Sequence, residues 1–307
     1  MRLVFAGTPD AALPSLDALQ ESSHEVLAVL TRPPAPAGRR RAPRPSPVHR
    51  RADELGIPVL TASRLRDPQA LAPIEALAPD CCPVVAYGAL LPPPALAIPR
   101  HGWVNLHFSL LPRWRGAAPV QQAIRAGDAV TGVTTFRIDE GLDTGPLLLQ
   151  ESATIGGHET SGELLGRLAH MGAALLVATL DALEDGTLAA RPQPDEGITL
   201  APRIEVADVR VDWRAPAEDV DRLVRAATPA PGAWTTLRGA RVRLGPVEIT
   251  DETGIEPGAL RASKHDVLAG TATTAVRLGE VVAEGKRPMA AADWARGLRL
   301  ELGEAFA

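Results

Sequence analysis

The chain of 307 residues is short of several residue types, and each shortage narrows what it can be. Its two cysteines are the adjacent pair Cys81 and Cys82. Neighbouring cysteines offer neither a disulfide framework nor a spaced set of thiolates for a metal. Long apolar runs are missing: the stretch around Pro83–Leu91 carries prolines and is far shorter than a membrane span requires. Too few apolar residues lie between Arg2 and Gly7 for the core of a secretory signal, so a soluble cytoplasmic protein is expected, with no membrane partner. Lysine occurs twice, at Lys264 and Lys286, against 30 arginines. Together with 29 prolines this reads as the bias of a GC-rich genome, so arginine in place of lysine has little meaning by itself. Asn105 is the only asparagine and Tyr87 the only tyrosine, which makes both positions informative. A net charge of −5 excludes a global attraction to nucleic acid; any such affinity has to be local.

What is present is globular. Hydrophobic residues at 45% and charged residues at 22% exclude wholesale disorder, and the length suits about two domains. The first half alternates short apolar runs (Leu3–Ala6, Glu25–Leu30, Val59–Leu60, Val84–Tyr87, Val104–Phe108) with helical spacing (Pro9–Gln20, Val48–Leu55, Pro68–Leu77, Pro119–Ala126). Two more strands, Gly132–Ile138 and Pro146–Ser152, precede a long helix over Thr160–Glu184. This alternation predicts an α/β fold with a mostly parallel sheet and ligands at the carboxyl ends of its strands. The proline-spotted, aperiodic stretch after Gly186 reads as a linker over 188–204. From residue 205 to 307, one helix (Ala217–Ala226) and short β-rich runs predict a small β-barrel.

The stretch Val104–Pro112 carries the chemistry. On a strand, residues two apart share a face, so Asn105 and His107 project together. An amide donor beside an imidazole suits acyl transfer: one stabilises an oxyanion and the other moves a proton. Asp143, in Gly141-Leu142-Asp143-Thr144-Gly145, is the candidate carboxylate to orient that imidazole. No G-x-S-x-G surrounds Ser109 and the cysteines sit on a buried run, so direct attack by a substrate amine is expected. Alone, Asn-x-His also describes a strand whose polar groups are satisfied by backbone, and Asp143 between glycines also describes a simple turn.

The wider sequence separates these readings. The run His107–Pro119 (HFSLLPRWRGAAP), followed by Gly141–Gly145, closely resembles the methionyl-tRNA formyltransferases, a family of folate-dependent formyltransferases. The resemblance spans essentially the whole chain. It includes Phe5–Pro9, Pro36–Arg39, Pro45–Val48, Val85–Gly88, Val211–Trp213, Pro231–Trp234 and Gly285–Arg287. It departs from the family pattern at Leu200–Arg203 and Ala227–Ala230, away from the catalytic trio. It implies a Rossmann-like formyltransferase domain (1–187) and an OB-like, tRNA-binding barrel (205–307). It also implies that Asn105, His107 and Asp143 are catalytic, and that Ser109, Leu110, Leu111 and Pro112 lie at the tetrahydrofolate site. Val85, Ala86, Tyr87 and Gly88 would line the pterin pocket through their backbone. The implied reaction carries the formyl group of 10-formyltetrahydrofolate to the amino group of methionine on initiator Met-tRNA, without a metal. A monomer is the expected state.

Seven arginines and no acidic residue lie between Arg32 and Arg51, among prolines that forbid a continuous helix. In an acidic protein such an island reads as a local phosphate-binding footprint. The family resemblance makes it the loop that meets the tRNA acceptor arm, with Arg39, Arg40, Arg41 and Arg44 as the contacts. Three rival readings are a sugar-nucleotide (UDP-amino sugar) formyltransferase, a non-catalytic RNA-binding protein and a nicotinamide dehydrogenase. The basic loop and the barrel favour a tRNA substrate over a sugar. An RNA-binding protein has no need of the Asn/His/Asp set, and no G-x-G-x-x-G follows the first strand.

Overall fold

Five apolar runs pair side by side in one direction: β1 (Arg2–Gly7), β2 (Glu25–Thr31), β3 (Val59–Thr61), β4 (Cys82–Val85) and β5 (Trp103–His107). An antiparallel hairpin, β6 (Val130–Arg137) and β7 (Leu147–Thr154), extends one edge. The strand order is β7-β6-β5-β4-β1-β2-β3. The computed structural model describes residues 1–36, 43–301 and 303–307. Leu3–Gly7 is buried throughout, as expected of a central strand covered on both faces.

Helices α1 (Leu13–Glu21), α2 (Pro47–Leu55) and α3 (Pro68–Leu77) each start with proline in the first turn, where the missing N–H costs nothing. Ser46 caps α2 by accepting from His49 N, and Gly56 ends it at φ +69°. The chain runs from β1 outward to β2 and β3, then returns to β4 on the other side of β1. Connections therefore diverge between β1 and β4, which leaves a crevice at their carboxyl ends. Across it the Thr8 hydroxyl donates to the Tyr87 carbonyl at 2.8 Å.

Tyr87 lies beyond the end of β4, and its ring belongs to the core. Its hydroxyl donates to Ala62 O at 3.0 Å, and burial pushes the phenol up to about 12. What Tyr87 offers the crevice is backbone, between the exposed residues Ala86 and Gly88. Cys81 and Cys82 are fully buried, and burial holds both thiols protonated, at about 12 for Cys81.

The longest helix, α5 (Ser161–Glu184), follows α4 (Pro119–Ala126). By length and composition alone α5 could cross a bilayer. Inspection for unbroken apolar runs passes over it, because Arg167, His170 and Asp181 interrupt its sequence. Its apolar side is buried at Leu168, Leu176, Leu180 and Leu183. Gly172 lets it close on the sheet, where an added Cβ would stand 2.7 Å from Leu106 Cδ2. The hydroxyls of Thr179 and Thr135 meet at 2.8 Å.

The chain packs as two units, and the division is not a single cut. The first comprises Met1–Gly116, Val130–Thr154 and Leu165–Ala201; the second comprises Ala117–Ala129, Ile155–Leu164 and Pro202–Ala307. Within the second unit α4 packs against α6 (Ala217–Ala226). Arg225 holds Asp221 at 2.7 Å and donates to Glu159 O, while Ser161 donates to Thr228 O, so Ile155–Leu164 is tied to the same body. The short runs expected for a barrel form two four-stranded antiparallel sheets. One joins Trp234–Leu237, Ala240–Leu244, Glu280–Ala283 and Met289–Ala290. The other joins Val247–Ile249, Val276–Leu278, Val267–Ala269 and Leu260–Ala262. Trp213 stacks on Phe306 at 5.1 Å in their core.

Tyr87→Phe keeps the ring but leaves the buried Ala62 carbonyl without its donor. We expect a loss of about 1–3 kcal/mol in unfolding free energy, measured by urea titration. An unchanged denaturation midpoint would show that this hydroxyl contributes nothing.

Candidate active site

Asn105 and His107 sit on β5 between β4 and β6, with Asn105 paired to Val84 and Phe136 and His107 paired to Thr134. Strand alternation turns both to one face. The Asn105 carboxamide makes no hydrogen bond among the described residues and is half-buried. It is a donor held in place by its strand and available to a ligand.

After His107 the chain folds back tightly. The Ser109 hydroxyl donates to Arg113 O at 2.6 Å, and Thr134 donates to Ser109 O at 2.6 Å. Ser109 is fully buried, Leu111 is buried, and Leu110 and Pro112 are half-buried. The Ser109 side chain thus shapes the loop. Trp114 follows in a left-handed conformation at φ +62°, with Arg113 over its ring at 4.6 Å.

The turn carrying Asp143 closes the β6–β7 hairpin. Gly145 is required there, since an added Cβ would stand 1.8 Å from Arg137 O. Asp143 itself is left-handed at φ +52°, a region that aspartate visits more readily than most residues with a side chain. Its Oδ2 accepts from Gly116 N at 2.7 Å.

These elements converge on His107, which is buried. Its Nε2 lies 2.8 Å from Trp114 O, and its Nδ1 lies 3.7 Å from Asp143 Oδ2. A carbonyl only accepts, so Nε2 carries the proton, and in the neutral ring Nδ1 keeps the lone pair. Burial lowers the pKa of His107, opposed by the Asp143 charge and by the Trp114 hydrogen bond. At neutral pH the ring is a neutral proton acceptor facing a carboxylate.

The stretch read as a linker is part of this site. Arg191 exchanges two backbone hydrogen bonds with Leu147, and Leu200–Ala201 pairs in parallel with Arg115–Gly116. Gln193 donates to Asp143 O at 2.7 Å and to Gly145 O at 2.8 Å, and Thr199 Oγ1 accepts from Trp114 N at 2.8 Å. Sequence inspection missed both residues because the segment has no periodicity; it borrows its geometry from distant strands.

The acid-free arginine island divides. Arg32 donates to Ser63 O and Gly88 O, joining the loops after β3 and β4. Arg50 donates to Pro45 O, and Arg51 pairs with Asp17 at 2.8 Å and Glu54 at 3.0 Å. Arg44 is exposed, in a two-residue pairing of Ala35–Pro36 with Pro43–Arg44. Arg39, Arg40 and Arg41 lie outside the described residues.

Residues 1–180 match the formyl transferase family and residues 203–299 match the formyl transferase C-terminal domain. A methionyl-tRNA formyltransferase of Nocardioides sp. is 61% identical over 99% of this chain and 97% of its own length. That of Salinispora arenicola is 60% identical over 100% of both chains. The chain is also similar in fold to an N-formyltransferase from Helicobacter canadensis, solved with folinic acid and dTDP-3-aminofucose. That structure has a TM-score of 0.67 at 16% identity, covering 90% of this chain and 97% of the other.

His107 should titrate below 6.5 in a histidine NMR titration. Removing the charge of the partner by Asp143→Asn should lower it further; a rise would contradict the assigned geometry. Linkage gives the stability sign. The contribution of a histidine buried neutral is full above pH 6.5 and is lost as pH falls through the lowered folded value. His107→Asn should flatten this acid-side slope, with His24, also held low by burial, keeping part of it.

Proposed function

The chain belongs to the formyl transferase family, among the methionyl-tRNA formyltransferases, and from that premise we propose how it works. It transfers the formyl group of 10-formyltetrahydrofolate to the α-amino group of methionine on initiator Met-tRNA, as a cytoplasmic monomer supporting the start of protein synthesis. The observation that carries this reading is His107 facing Asp143 at 3.7 Å, with Asn105 two residues before it on the same face of β5. An amide donor, a neutral imidazole and a carboxylate suit acyl transfer to an amine.

The folate donor is a substrate, consumed in each turnover. The crevice between β1 and β4 fits its pterin, since the backbone of Val85–Gly88 borders it with Ala86 and Gly88 exposed. Ser109–Pro112 form the adjoining wall. As the amine adds to the formyl carbon, Asn105 donates to the oxygen that gains charge. His107, through Nδ1 or a water it holds, takes the proton released by the amine. Asp143 stabilises the imidazolium so formed and relays its proton to the folate nitrogen, which leaves as the carbon–nitrogen bond to it breaks. Arg39, Arg40, Arg41 and Arg44 meet acceptor-arm phosphates, and the C-terminal unit provides further tRNA surface.

The test is formylation of charged initiator tRNA by the purified protein beside a UDP-amino sugar as acceptor; turnover of the sugar alone would replace this reading with the sugar-nucleotide one. Asn105→Ala, His107→Ala and Asp143→Ala should each lower kcat by at least about 10²-fold while the protein still folds and binds tRNA. The Asn105→Ala/His107→Ala enzyme should lose less than the product of its two single losses. Near-normal turnover in that double variant removes the catalytic assignment.

Changing Arg39, Arg40 and Arg41 together to Ala should raise KM for Met-tRNA and leave folate binding nearly unchanged. The slope of log K against log salt should flatten by about 0.7–0.9 per lost phosphate contact. A salt titration with the slope of the parent protein would send the search for the tRNA surface to the C-terminal unit.

A further inference from the structure

Ten residues, 191–200, cross the outside of the first unit as an exposed segment, and only Gln193 and Thr199 among them are half-buried. Both reach the site. The Gln193 carboxamide is fully engaged: its NH₂ donates to Asp143 O and Gly145 O, and its oxygen accepts from Arg115 Nε at 3.0 Å and Nη2 at 2.7 Å. Those partners settle which end of the amide is which, since carbonyls need the donor and guanidinium needs the acceptor. Asp139 also braces this turn, through Gly141 N and Thr144 Oγ1, but those bonds lie within the turn and move with it. Gln193 instead grips the backbone on both sides of Thr144 from outside the turn.

Thr199 does the same for the imidazole. Its hydroxyl accepts from Trp114 N, and its carbonyl accepts from Arg115 N at 2.9 Å. The carbonyl of the same Trp114 accepts from His107 Nε2–H. Trp114 and Asp143, which flank the His107 ring and have left-handed backbones, are thus each held by one side chain of this segment. A strained conformation persists only where its surroundings over-determine it.

We propose that Gln193 and Thr199 are a pair of positioning residues: Gln193 sets the Asp143 carboxylate against His107, and Thr199 sets the Trp114 carbonyl that fixes the tautomer of the ring. The segment that connects the two family-matched regions is in this view a working wall of the catalytic centre. The inference rests on the formyl-transfer reading for its kinetic arm alone.

The experiment compares Gln193→Ala, Thr199→Val and Thr199→Ser with the parent enzyme. Gln193→Ala should lower kcat about 10- to 10²-fold with KM for Met-tRNA and folate nearly unchanged. Introduced into an Asp143→Ala enzyme, it should cost nothing more, because it acts through Asp143. Thr199→Val should lower kcat and change the ¹⁵N signature of the His107 ring; Thr199→Ser, which keeps the hydroxyl, should restore both. Losses from Gln193→Ala and Asp143→Ala that multiply would overturn the role of Gln193. An unchanged His107 spectrum in Thr199→Val would overturn that of Thr199. If the parent protein formylates nothing, the function reading fails, and the His107 titration in Gln193→Ala still decides the positioning. A titration point lowered as in Asp143→Asn supports it; an unmoved one refutes it.

Discussion

At His107, a buried imidazole, a single backbone carbonyl distinguishes the two ring nitrogens. Because Trp114 O can only accept, Nε2 holds the proton and Nδ1 is left to work. Much of the local architecture follows from delivering that carbonyl. The chain must reverse within seven residues of His107, which the Ser109–Arg113 hydrogen bond and a left-handed Trp114 accomplish. Opposite it, a hairpin turn with glycines on both sides of Asp143 brings a carboxylate to the other nitrogen. Burial and the carboxylate then pull the basicity of the ring in opposite directions. The ring stays neutral at rest and its protonated form has a counter-charge waiting.

The sequence-level reading succeeds where local rules dominate. Period-two alternation on β5 suffices to bring Asn105 and His107 together, and α4 starts at Pro119 and ends before Gly127, as its sequence predicts. The turn that carries Asp143 is legible from the glycines that flank it, and its carboxylate stands 3.7 Å from His107 Nδ1. The failures share a cause, which is that the deciding partner is remote in sequence. Nothing near Tyr87 announces that its hydroxyl belongs to Ala62. Gln193 and Thr199 lie in a stretch whose order is imposed by β7 and by Arg115–Gly116. Strands of three residues in the C-terminal unit, such as Leu260–Ala262 and Val267–Ala269, are too short to show a period.

Arginine shows how composition can mislead in both directions. A chain with two lysines uses guanidinium groups for tasks unrelated to phosphate. Arg32 bridges two loop carbonyls, Arg51 joins two helices through Asp17, Arg115 orients an amide, and Arg225 ties Asp221 to the Glu159 carbonyl. The planar fork suits such clamps better than an ammonium does. An arginine count therefore overstates the cationic surface, and the sorting has to be done one side chain at a time.

The C-terminal unit is assembled from three separate stretches, and its helix α6 packs on α4, which the chain supplies some 90 residues earlier. That makes the protein a poor subject for modular recombination. A fragment cut at the start of the matched C-terminal region, residue 203, would carry α6 with its neighbour amputated and the Arg225–Glu159 tie missing. Grafting this unit onto another catalytic body would require transplanting Ala117–Ala129 and Ile155–Leu164 as well, which in sequence lie between β5 and β6 and directly after β7. Neither unit is a single contiguous stretch of chain, so neither can be moved as one uninterrupted cassette.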